Sequence, residues 1–188
     1  MNETATQKKV RIDTFNNDWY HPGPRWKILL WYFINAVFFI SHLNPFISIK
    51  IFWLRLFGAK VGKRCYMKPG VNIKYPWKLV IGDYVLVGEN VWIDNLETVT
   101  LKDHSCISQG AMILTGNHNY KKSSFDLMIQ PVTLEEGAWV GAKAVVCPGV
   151  TCKSHSVLTV GSVAYNDLEA YTIYSGNPAM PVKERVIT

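Results

Sequence analysis

The long irregular stretch NHNYKKSSFDLMIQP is the first place to look for chemistry, and His118 stands at its start. An imidazole titrates near neutrality, so a histidine beside a hydroxyl can take its proton as the oxygen attacks a carbonyl. On its own a loop histidine is more often a solvated bystander, so any role has to come from its surroundings. His104 and His155 fall on turns and His21 and His42 in the N-terminal part, where surface or cap positions are adequate for them. The four cysteines, Cys65, Cys106, Cys147 and Cys152, form no C-x-x-C pair and no Cys/His spacing suited to zinc. Cys152 occupies a core position and Cys147 lies beside one, so neither resembles an activated thiolate. Reduced, structural cysteines and no metal site are expected.

The element that must position His118 is a repeat. From Val61 onward an apolar residue recurs every six: Val61, Met67, Ile73; Ile81, Val87, Ile93; Leu101, Ile107, Ile113; then Leu134, Val140, Val146, Cys152, Leu158 and Ala164. Twelve of these fifteen are Val, Ile or Leu. Four places later stands, as a rule, a small or β-branched residue, with Trp77, Glu97, Asn117 and Leu168 as exceptions. Neither a helical nor an alternating period produces this spacing; it requires a regular corner in the chain. Short strands joined by tight turns satisfy it, three to a coil, with apolar residues stacked inside a triangular prism and small residues in its corners. About five coils are counted. Two-residue insertions precede Ile81 and Leu101, and one long excursion separates Asn117 from Pro131; insertions in a solenoid emerge as loops, often on the binding face.

Four regions follow. Residues 1–25 are polar, carry Pro22, Gly23 and Pro24, and read as an irregular arm rather than a packed element. Residues 26–57 are a helical hairpin. The run Ile28 to Ile40 is apolar except for Asn35 and, at 13 residues, falls short of the ~20 that a spanning helix needs. After Asn44-Pro45, residues Phe46, Ile49, Trp53, Leu56 and Phe57 recur at helical spacing, with Lys50 and Arg55 among the remaining positions. An interfacial hairpin on a membrane surface is expected, the alternative being a cap on the open end of the prism. Residues 58–175 are the repeat domain with its loop 117–131, and residues 176–188 a C-terminal tail.

Lys and Arg outnumber Asp and Glu by 20 to 14, a net +6 that favours an anionic partner such as a phosphate-bearing cofactor or an acidic lipid surface. Nucleic acid is set aside, since no segment shows a basic recognition helix or an aromatic-basic alternation. The N-terminus has no signal-peptide apolar region, so a cytoplasmic protein, peripheral on the inner face of the membrane, is expected.

The repeat resembles the hexapeptide-repeat acyltransferases. Within them WYHPG, LFGAKVGKRCYMKPGVNIKYPWKL, GENVWIDNLE, CISQGAMILTGNHNY and GAWVGAKAVVCPGV are similar to the colanic acid biosynthesis acetyltransferases. The resemblance implies a left-handed parallel β-helix, a mainly β fold. It also implies homotrimers with active sites between subunits, acetyl-CoA as donor, and a sugar or lipid-linked glycan as acceptor. It gives His118, in TGNH, the part of general base in direct transfer. Asp94 and Asn95 in WIDN, and Asn117, are candidates to orient the histidine or bind sugar hydroxyls; turn chemistry accounts for them equally well. Positions matching the coenzyme A groove are Gly141, Ala142, Val160, Gly161 and Tyr165, with Lys183 toward the phosphates. Many relatives carry Thr-Lys where this chain has Tyr165-Asn166.

Two rivals remain at this point. A zinc-dependent, carbonic-anhydrase-like β-helix hydratase would use three histidines, but only His118 lies in the loop region. A non-catalytic membrane-associated scaffold would use the prism merely to oligomerise.

Overall fold

The computed structural model describes residues 8–188; residues 1–7 of the expected arm lie outside the described residues. From Lys60 the chain winds through five complete coils of three short strands. The first is β1 (Lys60–Val61), β2 (Tyr66–Met67) and β3 (Asn72–Ile73), the second β4 (Leu79–Ile81), β5 (Leu86–Val87) and β6 (Trp92–Asp94). The third is β7 (Val99–Leu101), β8 (Cys106–Ile107) and β9 (Met112–Leu114), followed by a hairpin of β10 (Gly116–His118) and β11 (Leu127–Ile129). The fourth is β12 (Val132–Leu134), β13 (Trp139–Val140) and β14 (Val145–Val146), the fifth β15 (Thr151–Cys152), β16 (Val157–Leu158) and β17 (Val163–Ala164).

Each coil pairs in parallel with the next, and the residues at six-residue spacing become three inward columns. Val61, Ile81, Leu101, Leu134 and Cys152 stack on the first face. Met67, Val87, Ile107, Val140 and Leu158 stack on the second. Ile73, Ile93, Ile113, Val146 and Ala164 stack on the third. All but Val61 are buried, and so are the small residues of the corners, Ala111, Ala138, Ala144, Ser156 and Ser162 among them. A larger side chain at such a corner would have no room, because two strand ends and the neighbouring coils meet there.

The solenoid continues past the expected count. Leu168 bridges Cys152, and β18 (Thr172–Gly176) pairs with β16, giving two faces of a sixth coil. Leu168, an exception in the corner series, is an inward residue here, because the repeat slips phase after Ala164. The segment 176–188, expected as a tail, contributes β19 (Ala179–Glu184), which folds back antiparallel on β18 and covers that edge.

The other end is closed by helices. Helix α1 (Arg25–Ile34) runs into a π-helical turn, Asn35–Ile40, and after a break α2 (Ile47–Leu56) follows. Asn35, the polar interruption of the apolar run, donates to Asn72 Oδ1 at 2.7 Å and docks the hairpin on the first coil. Trp31 Nε1 donates to the Ile73 carbonyl at 2.7 Å and Gly70 N–H to the Phe39 carbonyl at 2.9 Å.

On α2 the structure corrects the expected faces. Lys50, placed by spacing on the polar side, is fully buried with Leu54, whereas Phe46, Phe52 and Leu56 are exposed. The reason is the open edge of the first coil, whose carbonyls have no preceding strand to pair with. Lys50 Nζ donates to the Lys68 carbonyl at 2.9 Å, and Arg55 Nη2 to those of Val61 and Gly62 at 2.8 and 3.0 Å. Both cations therefore finish the prism, Lys50 out of solvent and Arg55 from the exposed side.

Candidate active site

Three loops, 74–78, 94–98 and 115–131, leave the prism at the edge between its third and first faces, stacked along one line. The longest carries β10 and β11, paired antiparallel with His118 opposite Leu127. Gly116 lets this hairpin lie against the loop below, since a Cβ there would collide with Leu96 Cδ1.

The His118 ring is held on three sides. It stacks on Phe125 at a centroid distance of 4.4 Å and an interplanar angle of 6°, and meets Phe15 of the arm at 5.6 Å. Its Nδ1 lies 2.9 Å from the Phe125 carbonyl oxygen. A carbonyl only accepts, so Nδ1 carries the proton and Nε2 holds the lone pair of the neutral ring. The geometry thus selects the tautomer that a general base at Nε2 needs, with a backbone oxygen where a catalytic triad has a carboxylate.

His118 lines a cleft of about 570 Å³ with Phe15, Asn17, Tyr20, Lys74 and Tyr75. The Tyr20 hydroxyl donates to the Leu96 carbonyl at 2.7 Å, and burial pushes its phenol pKa well above the ordinary range, keeping it a neutral donor. Trp77 Nε1 donates to the Pro22 carbonyl at 2.6 Å. The arm, expected to be unpacked, is therefore a wall of the site. Ser123 Oγ donates to the Lys9 carbonyl and Arg11 N–H to the Ser123 carbonyl, tying it to the loop tip. Aromatic residues within a polar segment were the only trace of this in the sequence.

The three polar candidates separate. Asp94 forms an ion pair with Lys74 at 2.9 Å beside the cleft and makes no bond to His118. Asn95 is fully buried: its Oδ1 accepts from Tyr75 N–H at 2.9 Å, and its Nδ2 donates to the carbonyls of Tyr75 and Lys78 at 2.6 and 3.2 Å. It fills the corner and satisfies the backbone of the inserted loop below, so it cannot reach an acceptor hydroxyl. Asn117 faces away from His118 by strand alternation, toward a smaller hollow lined by Met128, Gln130, Cys147 and Tyr165.

The cofactor candidates fall on three edges. Gly141 and Ala142 stack beneath Val160 and Gly161 at the edge between second and third faces, where Gly161 N–H donates to the Ala142 carbonyl and Gly141 N–H to that of Leu158. Tyr165, exposed, stands at the loop edge. Lys183 lies opposite Ile173 on β19, toward the far side of the second face, and is not brought to the Val160 corner within one chain. Burial raises the thiol pKa of Cys147 and pushes that of Cys152 up to about 12. His104 stacks on Tyr84 and His155 on Tyr171 along a different edge, and among the described residues no three His, Cys, Asp or Glu side chains converge on a metal position.

No family model matches the chain. It is 36% identical over 169 residues to the "Putative colanic acid biosynthesis acetyltransferase WcaF" of Escherichia coli (strain K12), covering 90% of this chain and 93% of that protein. Among solved structures, a maltose O-acetyltransferase from Clostridium difficile 630 superposes with a TM-score of 0.78 at 18% identity, covering 86% of this chain and 88% of the other. The hexapeptide-repeat acetyltransferase VCA0836 of Vibrio cholerae, complexed with acetyl coenzyme A, gives a TM-score of 0.71 at 21% identity, covering 78% and 81%. At these identities the structures show a common fold, the left-handed β-helix.

Proposed function

The chain belongs to the hexapeptide-repeat acetyltransferases that include WcaF, and from that premise we propose that it transfers acetyl from acetyl-CoA to a hydroxyl of a surface-polysaccharide sugar, with His118 as general base. The observation that carries the reading is the Nδ1 contact of His118 with the Phe125 carbonyl, which leaves Nε2 free to act in an aromatic-walled cleft. Nε2 takes the hydroxyl proton as the oxygen bonds to the thioester carbonyl carbon. The tetrahedral intermediate then collapses, the carbon–sulfur bond breaks, and the imidazolium returns its proton to the departing sulfur. A covalent acyl-enzyme is unnecessary, and the high thiol pKa values of Cys147 and Cys152 disfavour one.

For coenzyme A, the corner of Gly141, Ala142, Val160 and Gly161 offers a bare strip of backbone. A Cβ at Gly141 would press on Leu158 O and Val160 N, while Gly161 faces open space. The N–H groups of both glycines are engaged within the prism, so contacts to the pantetheine arm fall to Ala142 and Val160.

A homotrimer is the assembly favoured by the outward side chains. The second face presents Tyr66, Leu86 and Trp139 and the third Trp92, Met112 and Val145, while the first presents Thr100, Thr133 and Thr151. Two unlike apolar faces suit a head-to-tail contact that closes into a ring, and three is the number the family implies. Lys183 would then meet a neighbour's cofactor rather than its own.

Membrane contact is supported by the outer side of the hairpin. Leu29 is 71%, Phe33 64% and Leu43 94% exposed, a concentration of large apolar side chains unusual on a monomer. No helix among the described residues is long and apolar enough to cross a membrane. The hairpin thus caps with one side and offers the other to the bilayer on the cytoplasmic face.

The direct test is acetyl transfer from acetyl-CoA to a panel of methyl glycosides, with acetyl-CoA affinity measured by calorimetry. Failure to bind acetyl-CoA would favour the scaffold.

A further inference from the structure

Between α1 and the third face lies a second cavity, of about 280 Å³, with apolar walls from Ile28, Tyr32, Ile40 and Trp92. One end opens among the exposed apolar residues of the hairpin, since Tyr32 and Ile40 belong to that outer surface themselves. Its other end is polar: Asp94, paired with Lys74, lines it, and Lys74 and Tyr75 line this cavity and the His118 cleft alike. The π-helical turn Asn35–Ile40 shapes one wall, and such widened turns concentrate at functional sites.

We infer that this cavity holds the hydrocarbon chain of a glycolipid acceptor whose sugar lies in the His118 cleft. The inference rests on the proposed acetyl transfer and adds to it a site for the acceptor's hydrocarbon. Three observations select this occupant. The walls are apolar where the cavity meets the hairpin surface, so a chain leaving a bilayer stays out of water along its path. The shared pair Lys74 and Tyr75 marks the place where hydrocarbon gives way to headgroup. The volume falls just short of the usual small-molecule range, so it takes the part of a chain next to the sugar and leaves the remainder in the membrane.

The test uses the full chain with methyl and octyl glycosides of one sugar, and an alkyl glycoside bearing a photoreactive group in its chain. The octyl glycoside is expected to have a KM lower by about tenfold or more, as burial of a few methylenes requires. Ile28→Trp, which fills the cavity, should bring the octyl-to-methyl ratio of kcat/KM close to one; Ile40→Glu serves if the first variant fails to fold. Photolabelling should fall on peptides containing Ile28, Tyr32 and Trp92. Equal KM values for the two glycosides, with label confined to Leu29, Phe33 and Leu43, would overturn the inference and leave acetyl transfer standing. Label in the cavity with no glycoside acetylated would keep the hydrocarbon site and remove the acetyl-transfer reading.

Discussion

Nδ1 of His118 and the carbonyl oxygen of Phe125 are 2.9 Å apart, and the Phe125 ring stacks on the same imidazole. One residue therefore fixes both the tautomer and the plane of the base. Phe125 itself has a left-handed backbone, φ 53°, which turns its carbonyl and its ring toward His118 together.

If Nε2 takes the proton, His118→Ala should lower kcat by about 10²–10⁴ and leave acetyl-CoA affinity nearly unchanged, because a base acts on the transition state. Steady-state kinetics with calorimetry checks this. His104→Ala, altered on a different edge, should retain turnover. A His118→Ala enzyme that works at the wild-type rate would remove the mechanism.

Asn95→Ala separates a corner residue from an acceptor ligand. Three hydrogen bonds from a buried side chain to partly buried backbone are lost, so stability should fall by about 2 kcal/mol, roughly 4–8 °C in Tm. Thermal unfolding gives the answer. An unchanged Tm with a raised KM for acceptor would instead make Asn95 a substrate contact.

Burial lowers the pKa of Lys50 in the folded chain, while the unfolded chain keeps its ordinary value. In between, the unfolded state binds more protons, so this group's contribution to stability rises with pH. Its penalty is complete below the folded pKa and is relieved as pH climbs toward the unfolded one. Lys50→Met removes the penalty, so its stability relative to wild type should shrink with rising alkaline pH. Parallel melting curves across the alkaline range would show this, and a constant difference would contradict it.

Trp139→Glu places a charge on the second face, opposite the edge that carries the His118 loop. Light scattering should show trimers for the wild type and smaller species for the variant, with activity lost in proportion. Activity in the wild type should survive strong chelation. Full activity in a monomer would refute an intersubunit site, and restoration by zinc after chelation would revive the hydratase.

Truncating the hairpin would remove Trp31, Phe39 and Leu54, which belong to the core, so point changes are the better probe of membrane contact. Replacing Leu29, Phe33 and Leu43 by Ser should release the protein from anionic vesicles on co-sedimentation while leaving soluble-acceptor turnover intact. Lys50 and Arg55 are committed to backbone carbonyls, so the attachment should depend on salt less than a basic patch would. Wild-type protein that stays in the supernatant would end the membrane proposal.

The sequence by itself determined the prism. An inward side chain at every sixth position meets its equivalent one coil away, so Val87, Ile107 and Val140 could be aligned from spacing alone. The position of His118 at the root of the loop was legible because the interruption of that period marks where the loop leaves. What only the tertiary structure decided is everything that joins separate interruptions. The Phe125 carbonyl, the arm with Phe15 and Tyr20, the burial of Asn95 and Lys50, and the position of Lys183 across the second face obey no period. Each depends on how loops from different coils stack at one edge, or on which backbone groups the prism's ends leave unpaired. A repeat specifies contacts between equivalent residues; it leaves open what its exceptions will touch.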